Sequence, residues 1–553
     1  MIEADRLHVI PLGGLGEIGK NMMVIRYQDT ILVIDAGLMF PEEELLGIDV
    51  VIPDITYLLE NREKVKAILL THGHEDHVGA LPYILRDIDV PVYGTKLTMG
   101  IVEAKLREHG LNGARLNIVK PRDKLTLGPF EVEFIRVSHS IPDTLAIAVH
   151  SPVGTVLHTG DFKLDQTPVD GEVVDFRKFA ELGERGVLLM MADSTNAEKP
   201  GYTMSERVVG NTFDELFGRC QGRIIITTFA SNVHRIQQAI STAHKYNRKV
   251  AVVGRSMINN VNIARELGYI AIPEGTLIDV ESINRYPDNQ LVIVTTGSQG
   301  EPMSALTRMA SADHRWVFIQ PGDTVIISAT PIPGNEKLVA RTIDLLFKQG
   351  AEVIYDRATG VHVSGHASQE ELKILINLIR PRYFIPVHGE YRHLKWHARL
   401  AENLGIPRSR IFVVENGQII DVGKKKAGIV GKVTSGRVLV DGLGVGDVGN
   451  IVLRDRKQLS SDGIIIVVVT INKETGTVIA GPDIVSRGFV YVRESEQLID
   501  DARERVREAL QVCEMRGVTE WATIKSQVRD VLNKYLYEKT KRRPMILPII
   551  MEV

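Results

Sequence analysis

The sequence predicts an α/β protein of several domains, and three observations carry that expectation. At 553 residues the chain is longer than one hydrophobic core usually serves. Short β-branched runs alternate with turn signals up to about Ser205, where the rhythm changes to strand, helix, strand. The Gly-rich segment from Gly436 to Gly449 reads as a linker to a third region that mixes strands with long amphipathic helices.

The opening region reads as sheet with few long helices. Asn21 to Tyr27 and Ile31 to Asp35 flank Gln28-Asp29-Thr30 in a hairpin pattern, and strand-like runs follow at Ala67 to Leu70, Glu131 to Val137, Ala146 to Val149, Thr155 to His158 and Gly186 to Met191. In the middle region, strands at Arg223 to Thr228, Lys249 to Val253 and Gln290 to Thr295 alternate with helical stretches at Asn232 to Lys245 and Asn260 to Leu267, the pattern of a parallel α/β unit. The third region holds strand runs at Gly463 to Ile471 and Gly488 to Val492 and helices near Gln497 to Cys513 and Glu520 to Tyr537. A glycine pattern at the other end misleads. Gly14-Leu15-Gly16-Glu17-Ile18-Gly19 fits a dinucleotide fingerprint, but strand-like Met22-Met23-Val24-Ile25 follows where that site needs a helix, so a tight turn between strands is expected.

Composition narrows the function. Hydrophobic residues make up 44% and charged residues 24%, the balance of a folded soluble protein. Net charge is −3 and the calculated pI about 6.6, so bulk attraction to nucleic acid is not indicated and any positive charge must act locally. Cys220 and Cys513 match no disulfide framework or thiolate site, which leaves nitrogen and oxygen as metal ligands. The longest apolar run, around Ile464 to Val469, falls far short of the roughly 20 residues that span a bilayer. Residues Met1 to Arg6 lack a signal peptide's apolar centre, so a cytoplasmic protein without membrane attachment is expected.

The chemistry concentrates in Thr71-His72-Gly73-His74-Glu75-Asp76-His77, directly behind the apolar run Val65 to Leu70. Positions 72, 74 and 76 share a face if extended, and 74 and 77 share one if helical. A strand-end loop combining both aims two histidines at one point and an aspartate–histidine pair at another nearby, the arrangement of a dinuclear site. Further donors stand where later β-runs give way to glycine or proline: His139, Asp161 and His388. A lone strand-end histidine such as His139 would by itself read as an ordinary structural residue.

His72-x-His74-x-Asp76-His77 followed by His139, Asp161 and His388 resembles the metallo-β-lactamase superfamily, with Asp35 at its early structural aspartate. The α/β insertion, with Asp193 in Ala192-Asp193-Ser194-Thr195-Asn196 and His366 in Ser364-Gly365-His366, resembles the β-CASP branch that acts on nucleic acids. Through Pro41 to Asp49, Thr296 to Pro302 and Lys541 to Pro548 the likeness extends to the bacterial ribonuclease J family.

The resemblance implies an αββα sandwich over 1–205 and 359–435, an inserted parallel α/β β-CASP domain over 206–358, a linker over 436–449 and a small α+β oligomerisation domain over 450–553. It also implies two zinc ions per subunit, with manganese or magnesium as alternatives that support activity. One would be held by His72, His74 and His139 and the other by Asp76, His77 and His388, with Asp161 bridging. Asp76, Asp193 and His366 would be catalytic, His366 acting on the leaving group and Asp193 orienting it. A pocket for a 5′-monophosphate end would use Ser231, Asn232, Val233 and Arg235 with His362, Val363, Ser364, Gly365 and His366; the local alternative is that Ser231 or Asn232 simply caps a helix. Asp49 and Asp441 match positions that hold structural calcium in some relatives, against a plainer reading as solvated carboxylates. The basic tail Lys539 to Pro544 either touches RNA or flanks Met545 to Met551 as an interface strand.

The implied activity is a zinc-dependent ribonuclease, exonucleolytic from a 5′-monophosphate and also endonucleolytic, in RNA decay, mRNA turnover and rRNA maturation. Its partners would be single-stranded RNA, its own copies in a homodimer or homotetramer, a paralogous ribonuclease J subunit and other RNA-decay proteins. Weakly active subunits of the family have lost ligands that this chain retains. Two alternatives remain: a hydrolase of small thioesters or lactones, which would need no second domain, and a non-catalytic RNA-binding scaffold subunit.

Overall fold

The computed structural model describes residues 6–301, 303–332, 335–472, 477–490, 495–518 and 520–553. They form two compact units, Met1–Phe40 with Val50–Val438 and Pro41–Asp49 with Leu439–Val553.

In the first unit two sheets face one another. The larger carries, in spatial order, Ala427–Lys432, Gln418–Val422, Leu7–Gly13, Met22–Tyr27, Thr30–Ile34, Val65–Leu69, Val92–Gly94 and Leu116–Ile118. The smaller runs Tyr383–Val387, Leu189–Asp193, Thr155–His158, Leu145–His150, Phe130–Arg136 and Lys124–Leu127. Ile25, Leu32 and Leu69 of one meet Phe134, Ile147 and Met191 of the other in a fully buried core, because alternate side chains of each strand point inward. On the outer face of the smaller sheet, Phe179, Leu375 and Leu400 of the helices Phe176–Arg185, Gln369–Ile379 and Tyr391–Asn403 cover Ile135, Leu157 and Met190. Helix Lys96–Glu108 lies along the Val92 edge of the larger sheet, completing the order helix, sheet, sheet, helix.

Between Leu189–Asp193 and Tyr383–Val387 the chain builds a separate all-parallel sheet, ordered Leu277–Ile278, Lys249–Val253, Leu291–Thr295, Ile224–Thr227, Thr324–Ile327 and Glu352–Ile354. Its central strands are apolar on both faces because helices cover both, with Phe213, Ile236 and Met257 on one side and Leu306, Met309 and Leu346 on the other. One of these cores continues into Leu97, Ile101 and Ile141 of the facing-sheet domain. Gly100 stands where helix Arg255–Glu266 and the residue after it press in: a Cβ there would come within 2.6 Å of Leu267. That close approach hid the Lys96–Glu108 helix from propensity reasoning, since Thr98 and Gly100 are poor helix formers.

The second unit rests on strict alternation. Strand Ile464–Ile471 buries every second residue, pairing antiparallel with Val478–Arg487 and parallel with Met545–Glu552. Ile465, Val467 and Val469 pack under Val506, Leu510, Leu532 and Leu536 of the helices Glu496–Met515 and Trp521–Thr540. Two expectations need correction. Residues 436–449 are not an open linker but include the paired strands Arg437–Asp441 and Gly444–Val445, followed by helix Asn450–Asp462. The second strand of this region is Val478–Arg487, whereas Gly488–Val490 form none and Tyr491 and Val492 lie outside the described residues. At the glycine fingerprint, Gly14, Gly16 and Gly19 all take positive φ, and the chain turns from Leu7–Gly13 into the antiparallel Met22–Tyr27 with no helix between.

Candidate metal centre

Strand Val65–Leu69 ends at the mouth between the sheets, and His74 is the extended residue that opens the short helix Glu75–Val78. Extended backbone before this point and helical backbone after it turn His72 and His74 one way and Asp76 and His77 another. His139 follows strand Phe130–Arg136, Asp161 follows Thr155–His158, and His388 follows Tyr383–Val387.

These side chains form two groups whose donor atoms all lie within 4.8 Å: His72, His74 and His139, and Asp76, His77, Asp161 and His388. In the first, His74 Nδ1 lies 3.0 Å from His72 Nε2 and 3.2 Å from His139 Nε2. In the second, Asp76 Oδ2 lies 3.2 Å from His388 Nε2, and Asp161 Oδ2 lies 3.2 Å from His77 Nε2. The same Asp161 oxygen is 3.8 Å from both His72 Nε2 and His139 Nε2, so it stands between the groups.

The outward nitrogens are already engaged. Asp35 accepts from His77 Nδ1 at 2.8 Å, Gly365 O accepts from His139 Nδ1 at 2.8 Å, and Thr71 Oγ1 lies 3.0 Å from His72 Nδ1. These contacts turn the remaining nitrogens inward, as hydrogen-bond partners behind metal-binding histidines do. His388 Nδ1 lies 2.8 Å from Asp161 Oδ1, and its Nε2 faces Asp76. Imidazole nitrogens and carboxylate oxygens converging on common points fit cations of borderline softness.

Electrostatics separates the groups. Burial holds His72 and His139 well below the usual imidazole range and pushes His74 down to about 4, so all three are neutral. Burial also opposes charge on Asp161 and Asp76, yet the facing histidines, His388 and His77 at Asp161 and His77 first at Asp76, keep both carboxylates well below their ordinary values. In return His77 and His388, despite burial, are raised, chiefly by Asp161. His388 and Asp35 hold φ of 53° and 61°, a left-handed backbone that a non-glycine residue adopts at a cost of order 1 kcal/mol.

His366 joins from the far side of the insert. Its Nδ1 lies 2.8 Å from Asp193 Oδ2 and 3.9 Å from Asp161 Oδ2, while the other Asp193 oxygen accepts from Thr195 N and Oγ1. The His366 side chain is 20% exposed and that of Asp76 30%, against 0% for His72, so these two form the rim.

The phosphate-pocket residues are not all brought to a common surface. Asn232 caps helix Val233–Lys245 by accepting from Arg235 N, and Val233 sits in the apolar core of the insert. Arg235 needs correction: its guanidinium is fully buried and forks onto Glu206, at 2.8 and 3.0 Å, so its charge is neutralised internally instead of facing a phosphate. It also contacts His362 Nδ1 and donates to Val363 O, whereas Ser364 Oγ accepts from Asn196. At the expected calcium positions, Asp49 accepts from Gly442 N and Asp441 pairs with Arg456, and neither belongs to a group of three His, Cys, Asp or Glu donors among the described residues. Sequence reasoning gave Asn196, Thr203 and Glu206 no role. Asn196 and Thr203 both donate to His366 O; only their proximity to the Asp193 motif offered a signal.

Four family models match the chain: the metallo-beta-lactamase superfamily over residues 15–197, the ribonuclease J beta-CASP domain over 221–346, the Zn-dependent metallo-hydrolase RNA specificity domain over 350–413 and the ribonuclease J C-terminal domain over 451–553. Ribonuclease J2 of Bacillus subtilis (strain 168) is 49% identical over 550 residues, covering 99% of each chain. Ribonuclease J 2 of Staphylococcus saprophyticus is 45% identical and that of Staphylococcus aureus (strain MRSA252) 44%, each over 99% of this chain and 98% of its own. A crystal structure of a protein of unknown function from Enterococcus faecalis V583 superposes with a TM-score of 0.54 at 19% identity, covering 77% of this chain and all of that one, a likeness of fold alone.

Proposed function

Because the chain belongs to the bacterial ribonuclease J family and is a ribonuclease of the metallo-β-lactamase fold, we propose that it hydrolyses RNA with two zinc ions, proceeding 5′ to 3′ from a 5′-monophosphate and also cutting internally, in RNA decay and rRNA maturation. The observation that carries this reading is Asp161 standing between two complete donor groups with the His366–Asp193 pair beside them. His72, His74 and His139 would hold one cation, Asp76, His77 and His388 the other, and Asp161 both. When bound, the metals supply a water of lowered pKa and offset charge on the phosphoryl oxygens.

The chain's own groups do the rest. Asp35, Gly365 and Thr71 orient the histidines, sparing the reaction the cost of arranging them. Asp193 engages His366 Nδ1, which leaves Nε2 to meet substrate at the rim. As the bond from phosphorus to the ribose oxygen breaks, His366 donates the proton that oxygen takes up. Recognition of the 5′ end falls to the hydroxyls and amides around Ser231 and residues 362–366, with Arg235 behind them. No helix among the described residues is long and apolar enough to cross a membrane. Assembly through residues 450–553 is part of the proposal; deleting them would lower the number of subunits in the native particle, and an unchanged subunit number would discard it.

One RNA prepared with a 5′-monophosphate, 5′-triphosphate or 5′-hydroxyl end tests the activity, with products resolved by length. Mononucleotides released progressively from the monophosphate form are expected. Fragments independent of the end would leave only the endonuclease, and no cleavage with zinc, manganese or magnesium would reject the reading.

A further inference from the structure

The segment from Val361 to Ser368 is gripped from both sides. Ser328 Oγ donates to Val361 O, Arg235 donates to Val363 O, and Asn196 and Thr203 donate to His366 O. Within the segment, Gly365 O receives His139 Nδ1, and a Cβ on Gly365 would come within 2.6 Å of that ring. The carbonyl that sets the direction of a ligand histidine and the imidazole at the rim therefore sit side by side on one backbone.

Arg235 joins Glu206 and Ser328 of the insert to His362 of the segment that follows it. It forks onto Glu206, donates to Ser328 O at 2.6 Å beside the end of strand Thr324–Ile327, and reaches His362 Nδ1 at 2.9 Å. Glu206 N is in turn held by Asp165 Oδ2 of the facing-sheet domain at 3.0 Å. A fully buried guanidinium with this many partners has no freedom to follow a substrate.

We propose that Arg235, with Glu206, is a positioning residue for the metal centre: through the backbone of residues 361–366 it makes the geometry of His139 and His366 depend on the fold of the insert. This rests on the reading of His72, His74 and His139 as ligands of one cation. The insert itself supplies a control. Arg223 forks onto Asp323 and donates to Phe318 O, another buried ion pair, with no hydrogen bond to residues 361–366 among the described residues.

The test compares the full chain with Arg235→Lys, Glu206→Gln and Arg223→Lys, measuring zinc affinity by competition with a chromophoric chelator, the melting temperature, and kcat separately from KM. Both lysine variants should lower the melting temperature. Only Arg235→Lys and Glu206→Gln should weaken zinc binding, by about tenfold, the scale of losing a second-shell partner, and lower kcat with KM little changed. Zinc affinity in those two variants equal to that of Arg223→Lys would overturn the proposal, as would a raised KM with kcat intact, which would place Arg235 on the substrate. If Arg235→Lys does not fold, Glu206→Gln decides on the same readouts. Wild-type protein that takes up no zinc would instead overturn the parent reading of the ligand groups.

Discussion

The two halves of the ligand set hold their donors in opposite ways. His72, His74 and His139 are kept neutral by burial and present bare lone pairs to one another. Asp76, His77, Asp161 and His388 instead balance two carboxylates against two imidazoles whose pKa values are raised, so that protons occupy the place of a cation. The first group pays for its readiness in desolvation; the second is stable without metal and must give up protons to bind it.

Asp161→Asn should have the largest effect, because Asp161 Oδ2 lies within 3.8 Å of donor nitrogens in both halves. Activity is expected to fall by at least about 10²–10³-fold, the scale of losing one preorganised charge contact, with circular dichroism unchanged; a loss confined to one half's metal would dissolve the bridge. Next comes pH. His77 and His388 are protonated in the metal-free chain at neutral pH, so binding at their half releases protons and strengthens as pH rises, by up to about two tenfold steps per pH unit. At the three-histidine half, where His74 lies at about 4, affinity should be nearly flat above pH 6 or so. Calorimetry in buffers of different ionisation enthalpy, with His388→Ala and His139→Ala to isolate each half, measures both slopes; equal slopes would erase the distinction. A smaller effect is expected from Asp35→Asn, which weakens the acceptor behind His77 and should cost about tenfold in metal affinity at that half only.

Sequence made the ligand loop legible because four potential donors within six residues behind a buried strand have few other uses. Apolar runs and turn residues placed about half of the strands of the two facing sheets, and in the insert Ile224–Thr227, Lys249–Val253 and Leu291–Thr295. What stayed hidden depended on approach from a distance. By sequence Arg235 reads as a phosphate contact at a helix start, whereas its partner is Glu206, from another part of the chain. Helix Lys96–Glu108 was masked by Gly100, whose small size answers to Leu267 of the insert. The strands inside 436–449 were masked by glycines that read as slack. None of these contacts leaves a mark within a local window of sequence.

The placement of Tyr383–Val387 as the smaller sheet's edge strand, beyond the insert in chain order, has a consequence for biosynthesis. During translation the ligand loop, His139 and Asp161 emerge before the insert, and His388 only after it. A nascent chain can therefore carry His72, His74 and His139 while still lacking Gly365, which orients His139, and His388 with its strand. Both halves of the ligand set are finished only after the insert has been made and spanned.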